Sequence, residues 1–249
     1  METEELKEET LLSHLVELRS RLLKAGGCIL ALFVCMAPFS DFIFSSVALP
    51  LMRQLPEGSS MIATQVASPF LTPFKTTMFA ALFLSMPVVL YQVWSFAAPG
   101  LYYKEKRFAV PLLISSIALF YLGTVFAYVV VFPIVFAFFT SAAPTGVAVM
   151  TDITSYLDFV LVLFFAFGVA FEVPIATVIL VWSGLTTVET LAKNRAYVFL
   201  GAFVIGMLIT PPDIISQTLL AVPVYLLYEC GILLARILSN PKESSAENE

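Results

Sequence analysis

Six long and nearly uncharged apolar runs restrict the fold of this 249-residue sequence more than any other feature. The chain is 59% hydrophobic and only 12% charged, whereas a typical globular chain has about a quarter of its residues charged. Helices satisfy their own backbone polar groups, as a bilayer requires. The sequence therefore predicts an all-α integral membrane protein with six transmembrane helices, at about 23–40, 76–98, 108–139, 157–181, 196–210 and 214–234.

Lysines and arginines lie mainly on one side of these spans. Eleven of the thirteen precede the first span, follow the sixth, or lie in the loops after the second and fourth. Only Arg53 and Lys75 lie in another loop, at 41–75, where we expect short helices that cap the outer face. Because bases collect on the cytoplasmic side, both termini are predicted to be cytoplasmic. An acidic leader at 1–12 and a disordered tail at 237–249 flank the membrane domain at 13–236.

The last two spans are predicted to be short. The fifth, from Ala196 to Thr210, has 15 residues, so it reaches about 22 Å across a hydrocarbon layer of about 30 Å. Prolines inside the spans predict kinks and a curved bundle, although membrane helices also tolerate proline when neighbours satisfy the freed carbonyl. These prolines are Pro38, Pro87, Pro111, Pro133, Pro174 and Pro223.

The stretch SHLVELRSRL, at 13–22, predicts an amphipathic helix before the first span. Its leucines can lie on the membrane surface or on a neighbouring helix. Glu17 interrupts the bases here and has two interpretations. It can form an i, i+4 pair with Arg21, or it can join Glu105, which interrupts the next cytoplasmic basic flank, in receiving a cationic ligand. Guanidinium fits two carboxylates best because of its planar fork.

Other acids lie inside or beside the spans. Glu172 is near the middle of the fourth span, where a charge is costly and indicates a functional site, although it could instead bond the backbone freed by Pro174. Asp213 can cap the sixth helix, and Glu229 could pair with a basic flank. The three cysteines, Cys28, Cys35 and Cys230, predict neither a disulfide framework nor a metal site.

Five stretches resemble the TatC family of twin-arginine translocase subunits: SHLVELRSRL, ASPFLTPFK, LYQVWSFAAPGLYYKEKR, FGVAFEVP and GMLITPPDIISQTLLAVPVYLLYE. The resemblance covers nearly the whole chain, from about Ser13 to Arg236. It implies a glove-like, multi-pass bundle in the bacterial inner membrane. It also implies a receptor for the paired-arginine signal peptides of folded precursors, working in a multimeric complex with the single-span proteins TatA and TatB.

The resemblance also assigns roles to individual residues. It implies that Glu17, Arg19, Phe96 and Glu105 bind the signal peptide, and that Glu172 is the family's intramembrane acid. It further places Pro50, Asp213 and Gln217 on family motifs, the last two near the partner-contact region of the fifth and sixth spans.

The residues also bear on the energy source for transport and on two alternative functions. The sequence has no GxxxxGK[ST] loop for ATP, and the family implies the proton-motive force, with no cofactor and no nucleic acid. A solute transporter could use Glu172 and broken helices, but the two halves show no internal repeat. An intramembrane protease needs a base at membrane depth, and the one histidine, His14, lies outside the predicted spans.

Overall fold

A computed structural model describes residues 2–52, 61–97, 109–141, 151–209 and 214–239. Within these ranges the chain is helical, and the β pairing is an isolated bridge between Ile62 and Asp152. The chain divides into two compact units, one formed by residues 1–55 and 65–100 and the other by residues 56–64 and 101–249. The helices are α1 (Glu2–Met36), α2 (Ser40–Met52), α3 (Ser68–Ala97), α4 (Ala109–Phe126), α5 (Phe132–Ser141), α6 (Ile153–Ala170), α7 (Val173–Trp182), α8 (Val188–Lys193), α9 (Arg195–Ile209) and α10 (Ile214–Ser239).

The first unit consists of one long helical rod and α3, which packs against both parts of the rod. The rod contains α1, a single 3₁₀ turn at Ala37–Phe39, and α2. Pro38 lies at the start of the 3₁₀ turn, where a missing N–H costs little. The amphipathic helix predicted at 13–22 is therefore continuous with the first span. Its leucines Leu15 and Leu22 are exposed, so no neighbour within the described residues covers them.

The boundaries of the predicted outer loop at 41–75 differ from the structure. Residues 41–52 are helical, as the prediction of capping helices suggested, but they extend the first span directly. At the other end of the loop, α3 begins at Ser68, eight residues before the predicted start of the second span. Lys75, which suggested a boundary, is exposed on α3, because a charged side chain can project from a continuing helix.

The second unit contains two interrupted spans. A π-helical turn at Ala127–Val131 separates α4 from α5, and Pro133 lies in the first turn of α5. Proline has no N–H to donate to the preceding turn, and the wider π turn accommodates the absence of that hydrogen bond. In the next span, α6 ends at Ala170 and α7 begins at Val173, with Pro174 in its first turn. Both breaks therefore occur at prolines that the sequence identified.

Glycines bring the helices of the second unit into close contact. A Cβ added at Gly168 on α6 would lie 2.5 Å from the Phe120 ring of α4. A Cβ at Gly231 on α10 would lie 2.2 Å from Thr177 Oγ1 and 2.9 Å from Pro174 Cα, both on α7. These distances are too short for any residue but glycine, as is common where membrane helices approach closely.

The number of spans agrees with the sequence when helix length is considered. Within the described ranges, five helical segments are long and apolar enough to cross a membrane, and α9 is a shorter apolar helix of 15 residues. The prediction that the last two helices are both short is confirmed for α9 and is wrong for α10. Helix α10 has 26 residues and continues past Arg236 to Ser239, because Arg236 is exposed and does not interrupt the helix. The predicted glove-like curvature stays a prediction.

Candidate functional site

Glu17 lies on α1 and already binds a guanidinium group. Nε of Arg21 donates to Glu17 Oε1 at 3.0 Å, and Nη2 of the same arginine donates to the same oxygen. The two residues are one helical turn apart, so the pair predicted from the i, i+4 spacing is confirmed. The Glu17 side chain is 37% exposed, which leaves its carboxylate accessible from outside the helix.

The other predicted signal-peptide residues are only partly described. Arg19 is exposed on α1, and Phe96 is half-buried next to the last residue of α3. Both belong to the same unit as Glu17, and their helices pack against each other. Glu105 lies outside the described residues. A cytoplasmic site with two carboxylates therefore stays a prediction.

Glu172 lies at the break between α6 and α7, inside the fourth span. The hydroxyl of Ser116, a buried residue of α4, donates a short hydrogen bond to Glu172 Oε2. Oε1 is buried and has no hydrogen-bond partner among the described residues. The side chain does not cap α7. The Ser116 contact places the Glu172 carboxyl group against α4, whereas bonding to the backbone freed by Pro174 is not observed among the described residues.

The residues predicted for partner contact lie in different settings. Gln217 on α10 donates from Nε2 to the backbone carbonyl of Phe203 on α9 at 2.8 Å, so it links these two helices. Pro50 lies in α2, and Asp213 lies outside the described residues, as does its proposed cap. Among the described residues there is no group of three His, Cys, Asp or Glu side chains that could hold a metal ion.

An ion pair links α9 to α10 at the end that carries Arg195. Nη2 of Arg195 donates to Glu229 Oε2 at 2.7 Å, and Nε lies 2.7 Å from Glu229 Oε1. One hydrogen bond and one close charge contact therefore join this guanidinium to the Glu229 carboxylate, and Oε1 itself accepts no hydrogen bond from the described residues. The predicted pairing of Glu229 with a basic flank is confirmed.

Asp152, which the sequence reasoning missed, joins two distant parts of the second unit. Oδ1 accepts hydrogen bonds from the Thr64 backbone N–H at 3.1 Å and from its hydroxyl at 2.8 Å. Oδ2 accepts from the backbone N–H and the hydroxyl of Ser155, each at 3.0 Å. Backbone hydrogen bonds between Ile62 and the chain around Asp152 complete this Asp152 latch. An aspartate directly before an apolar helix was the available signal, but it indicates only a helix cap.

The latch lowers the pKa of Asp152 well below its usual range, mainly through the backbone N–H of Ser155 and then that of Thr64. A lowered folded-state pKa means that the latch stabilises fully above the unfolded value of about 3.9 and is lost as the pH falls through the folded value. Asp152→Asn should therefore accelerate amide hydrogen exchange at Thr64 and Ser155 at neutral pH, whereas the unsubstituted chain should keep both amides protected at pH 4.

Asp41→Asn is the matched control for this experiment, because Asp41 is exposed in the first turn of α2. It should leave exchange at Thr64 and Ser155 unchanged. Equal exchange in the Asp152→Asn variant and the unsubstituted chain would show that the Asp152 carboxylate does not hold Thr64 and Ser155 in place.

Known proteins resemble this chain in both sequence and structure. A family model described as Sec-independent protein translocase protein (TatC) matches residues 13–223. TatC of Azotobacter chroococcum mcd 1 is 57% identical over 238 residues, which is 96% of this chain and 93% of that protein. TatC of Escherichia coli (strain K12) is 56% identical over 228 residues, 92% of this chain and 88% of the relative. A solved structure described as the twin arginine translocase receptor TatC is 37% identical, with a TM-score of 0.82, and covers 91% of this chain and 100% of its own.

The apolar helices define a multi-pass α-helical membrane protein, with Glu172 inside one span and Glu17 near the start of another. The chain belongs to the TatC family of Sec-independent protein translocase proteins. It is accordingly a component of the twin-arginine translocase and a multi-pass protein of the bacterial inner membrane. The resemblance found in the sequence is confirmed.

Proposed function

We propose that this protein is the receptor of the translocase and that it binds the paired-arginine signal peptides of folded precursors. The observation that carries this proposal is the pair at the start of the first span, where the partly exposed Glu17 carboxylate holds the guanidinium of Arg21. A carboxylate that accepts two N–H groups from one internal arginine has the chemistry needed to accept an arginine from a ligand.

The other residues that we propose for signal-peptide binding are a second acid, Glu105, together with Arg19 and Phe96. Glu105 interrupts the run Lys104 to Arg107 as Glu17 interrupts its own basic flank. Two carboxylates would match two guanidinium groups, and the basic flanks support a cytoplasmic position for both of them and for both termini. This role requires recognition and assembly and uses no catalytic residue.

We further propose that the single-span proteins TatA and TatB bind at the fifth and sixth helices and complete a multimeric complex driven by the proton-motive force. Three described features support this position. Helix α9 is too short to span a full bilayer, Leu208 on it is 78% exposed, and Gln217 places a polar group between α9 and α10. Glu172 supplies a second polar group within the spans, where Oε1 has no partner among the described residues.

Site-specific photo-crosslinking tests both parts of the proposal while leaving the binding acids intact. A crosslinker at Ser20, which lies one turn from Glu17 and is exposed, or at Lys106, next to Glu105, should capture a precursor with an Arg-Arg signal. The same positions should capture little of a Lys-Lys precursor, because ammonium cannot form the planar fork. A crosslinker at Leu208 should capture TatA or TatB and not the precursor.

Two results would contradict the proposal. Equal capture of the Arg-Arg and Lys-Lys precursors at Ser20 would show that the site recognises positive charge alone or does not bind the signal. Capture of the precursor at Leu208, with none at Ser20 or Lys106, would indicate that the signal peptide binds at α9 instead.

A further inference from the structure

A cavity of about 490 Å³ opens beside the ion pair that joins α9 to α10. One of its lining residues, Arg195, comes from the first turn of α9, and the others come from α10 between Leu226 and Arg236. The cavity lies within the second unit, and none of the residues that line it is a proposed signal-peptide residue. It is lined by Arg195, Leu226, Glu229, Cys230, Ile232, Leu233 and Arg236.

The charges of the cavity favour an anion. Two guanidinium groups and one carboxylate line it, so these side chains together carry one net positive charge. The Glu229 carboxylate is already charge-paired with Arg195, through a hydrogen bond from Nη2 and a close contact with Nε, so its negative charge is balanced within the cavity. Nη1 of Arg195 takes no part in that pair and has no other partner among the described residues. Arginine offers five N–H donors, so donors remain for a phosphate.

The same surface is apolar on one side and polar on the other. Leu226 and Leu233, one on each side of Glu229 along α10, are each 57% exposed. Arg236 lies in the last turn of α10, where the apolar segment of this span ends. Tyr197, 76% exposed on α9, is an aromatic side chain of the kind that gathers at headgroup level. The cavity therefore combines an apolar wall with bases at the membrane boundary.

We propose that this cavity binds the phosphate headgroup of an anionic phospholipid, whose acyl chains lie along Leu226 and Leu233. Basic pockets between transmembrane helices recognise such headgroups. A cationic peptide is disfavoured because the one carboxylate is already paired. Bound lipid would tie the basic end of α9 to α10 through Arg195 and Arg236.

Lipid titration of the full-length protein in detergent, followed by mass spectrometry of the intact complexes, tests the proposal. The probes are phosphatidylglycerol and phosphatidylcholine with identical acyl chains. The protein should bind phosphatidylglycerol in preference, and Arg236→Gln should weaken that binding about fivefold, as expected for one base at an anionic headgroup. Lys193→Gln, which removes an exposed base that does not line the cavity, should change it by less than about twofold.

Glu229→Gln gives the sharpest result because its expected effect has the opposite sign. It removes the negative charge of the cavity and releases Arg195, so phosphatidylglycerol should bind several-fold more tightly. A merely structural ion pair would predict weaker binding or none. The Arg236→Gln and Lys193→Gln comparison decides the matter alone if the Glu229→Gln protein does not fold.

Three outcomes would overturn the proposal. Equal binding of phosphatidylglycerol and phosphatidylcholine would remove the role of charge, and equal losses in the Arg236→Gln and Lys193→Gln variants would remove the role of the cavity. Displacement of phosphatidylglycerol by inorganic phosphate at the same concentration would show that the cavity takes free phosphate and that the leucine wall contributes nothing.

Discussion

Glu17→Lys is expected to abolish binding of a paired-arginine signal peptide while the protein still folds and inserts. The substitution removes a charge-assisted acceptor and places a cation where a guanidinium must approach. Truncating one side of such a charge pair costs about 2–5 kcal/mol, so binding should weaken by about thirtyfold or more. The fold should persist because the lost pair with Arg21 is a partly exposed i, i+4 pair, worth about 0.3–0.5 kcal/mol. Equilibrium binding of a labelled signal peptide to purified protein measures the effect.

Arg21→Gln is the matched control, since it breaks the same internal pair from the other side. If Glu17 serves only to pair with Arg21, both substitutions should have the same effect. If Glu17 receives the signal peptide, Arg21→Gln should leave binding intact or tighten it by up to about twofold, because the internal competitor is gone. Similar losses in the two variants would refute the receptor role of Glu17.

Gly231→Ala is expected to destabilise the second unit strongly for a change of one methyl group. The added Cβ would lie 2.2 Å from Thr177 Oγ1 and 2.9 Å from Pro174 Cα. The Thr177 side chain can rotate, but the Pro174 backbone cannot move without shifting α7. Overpacking of this kind costs about 1–3 kcal/mol, and thermal unfolding in detergent should show the loss. Glu172 precedes α7 directly, so signal-dependent transport should decrease as well.

Gly201→Ala provides the control for this second experiment. Gly201 is also inside an apolar helix, but an added Cβ there meets no atom within 4 Å. The variant should be unchanged or slightly more stable, because alanine favours the helix by up to about 1 kcal/mol. Equal unfolding temperatures for the two variants would mean that α7 and α10 are not packed as closely as Gly231 indicates.

Most of the helical elements could be predicted from the sequence, because long apolar runs in a bilayer have few alternatives. The errors lie at boundaries where one charged residue was taken as an end. Lys75 and Arg236 both project from helices that continue past them. An exposed charge ends an apolar run in the sequence without ending the helix. The bounds of α3 and α10 could therefore be found only from the structure.

The sequence identified those candidate residues whose charge is unusual at their position and missed those whose residue type is ordinary there. Glu17 and Glu172 were identified because an acid in a basic flank or inside a span needs an explanation. Asp152 was missed because it resembles an ordinary cap, and its second partner, Thr64, is 88 residues away in sequence. Ser116 lies 56 residues from Glu172, so the sequence could not pair them either. Long-range partners of short polar side chains leave no periodic pattern.

The first rod, residues 2–52 with one 3₁₀ turn at Ala37–Phe39, is much longer than the membrane is thick. The segment Leu15–Leu49, which contains the first apolar span, has 35 residues, or about 52 Å of helix at 1.5 Å per residue. Even at a tilt of about 40°, a 30 Å hydrocarbon layer holds only about 26 residues. Part of the rod must therefore stand outside the lipid, which makes the first helix both a membrane anchor and a projecting arm. A signal peptide bound at Glu17, as proposed, would therefore contact the same helical rod that crosses the membrane and ends at Met52.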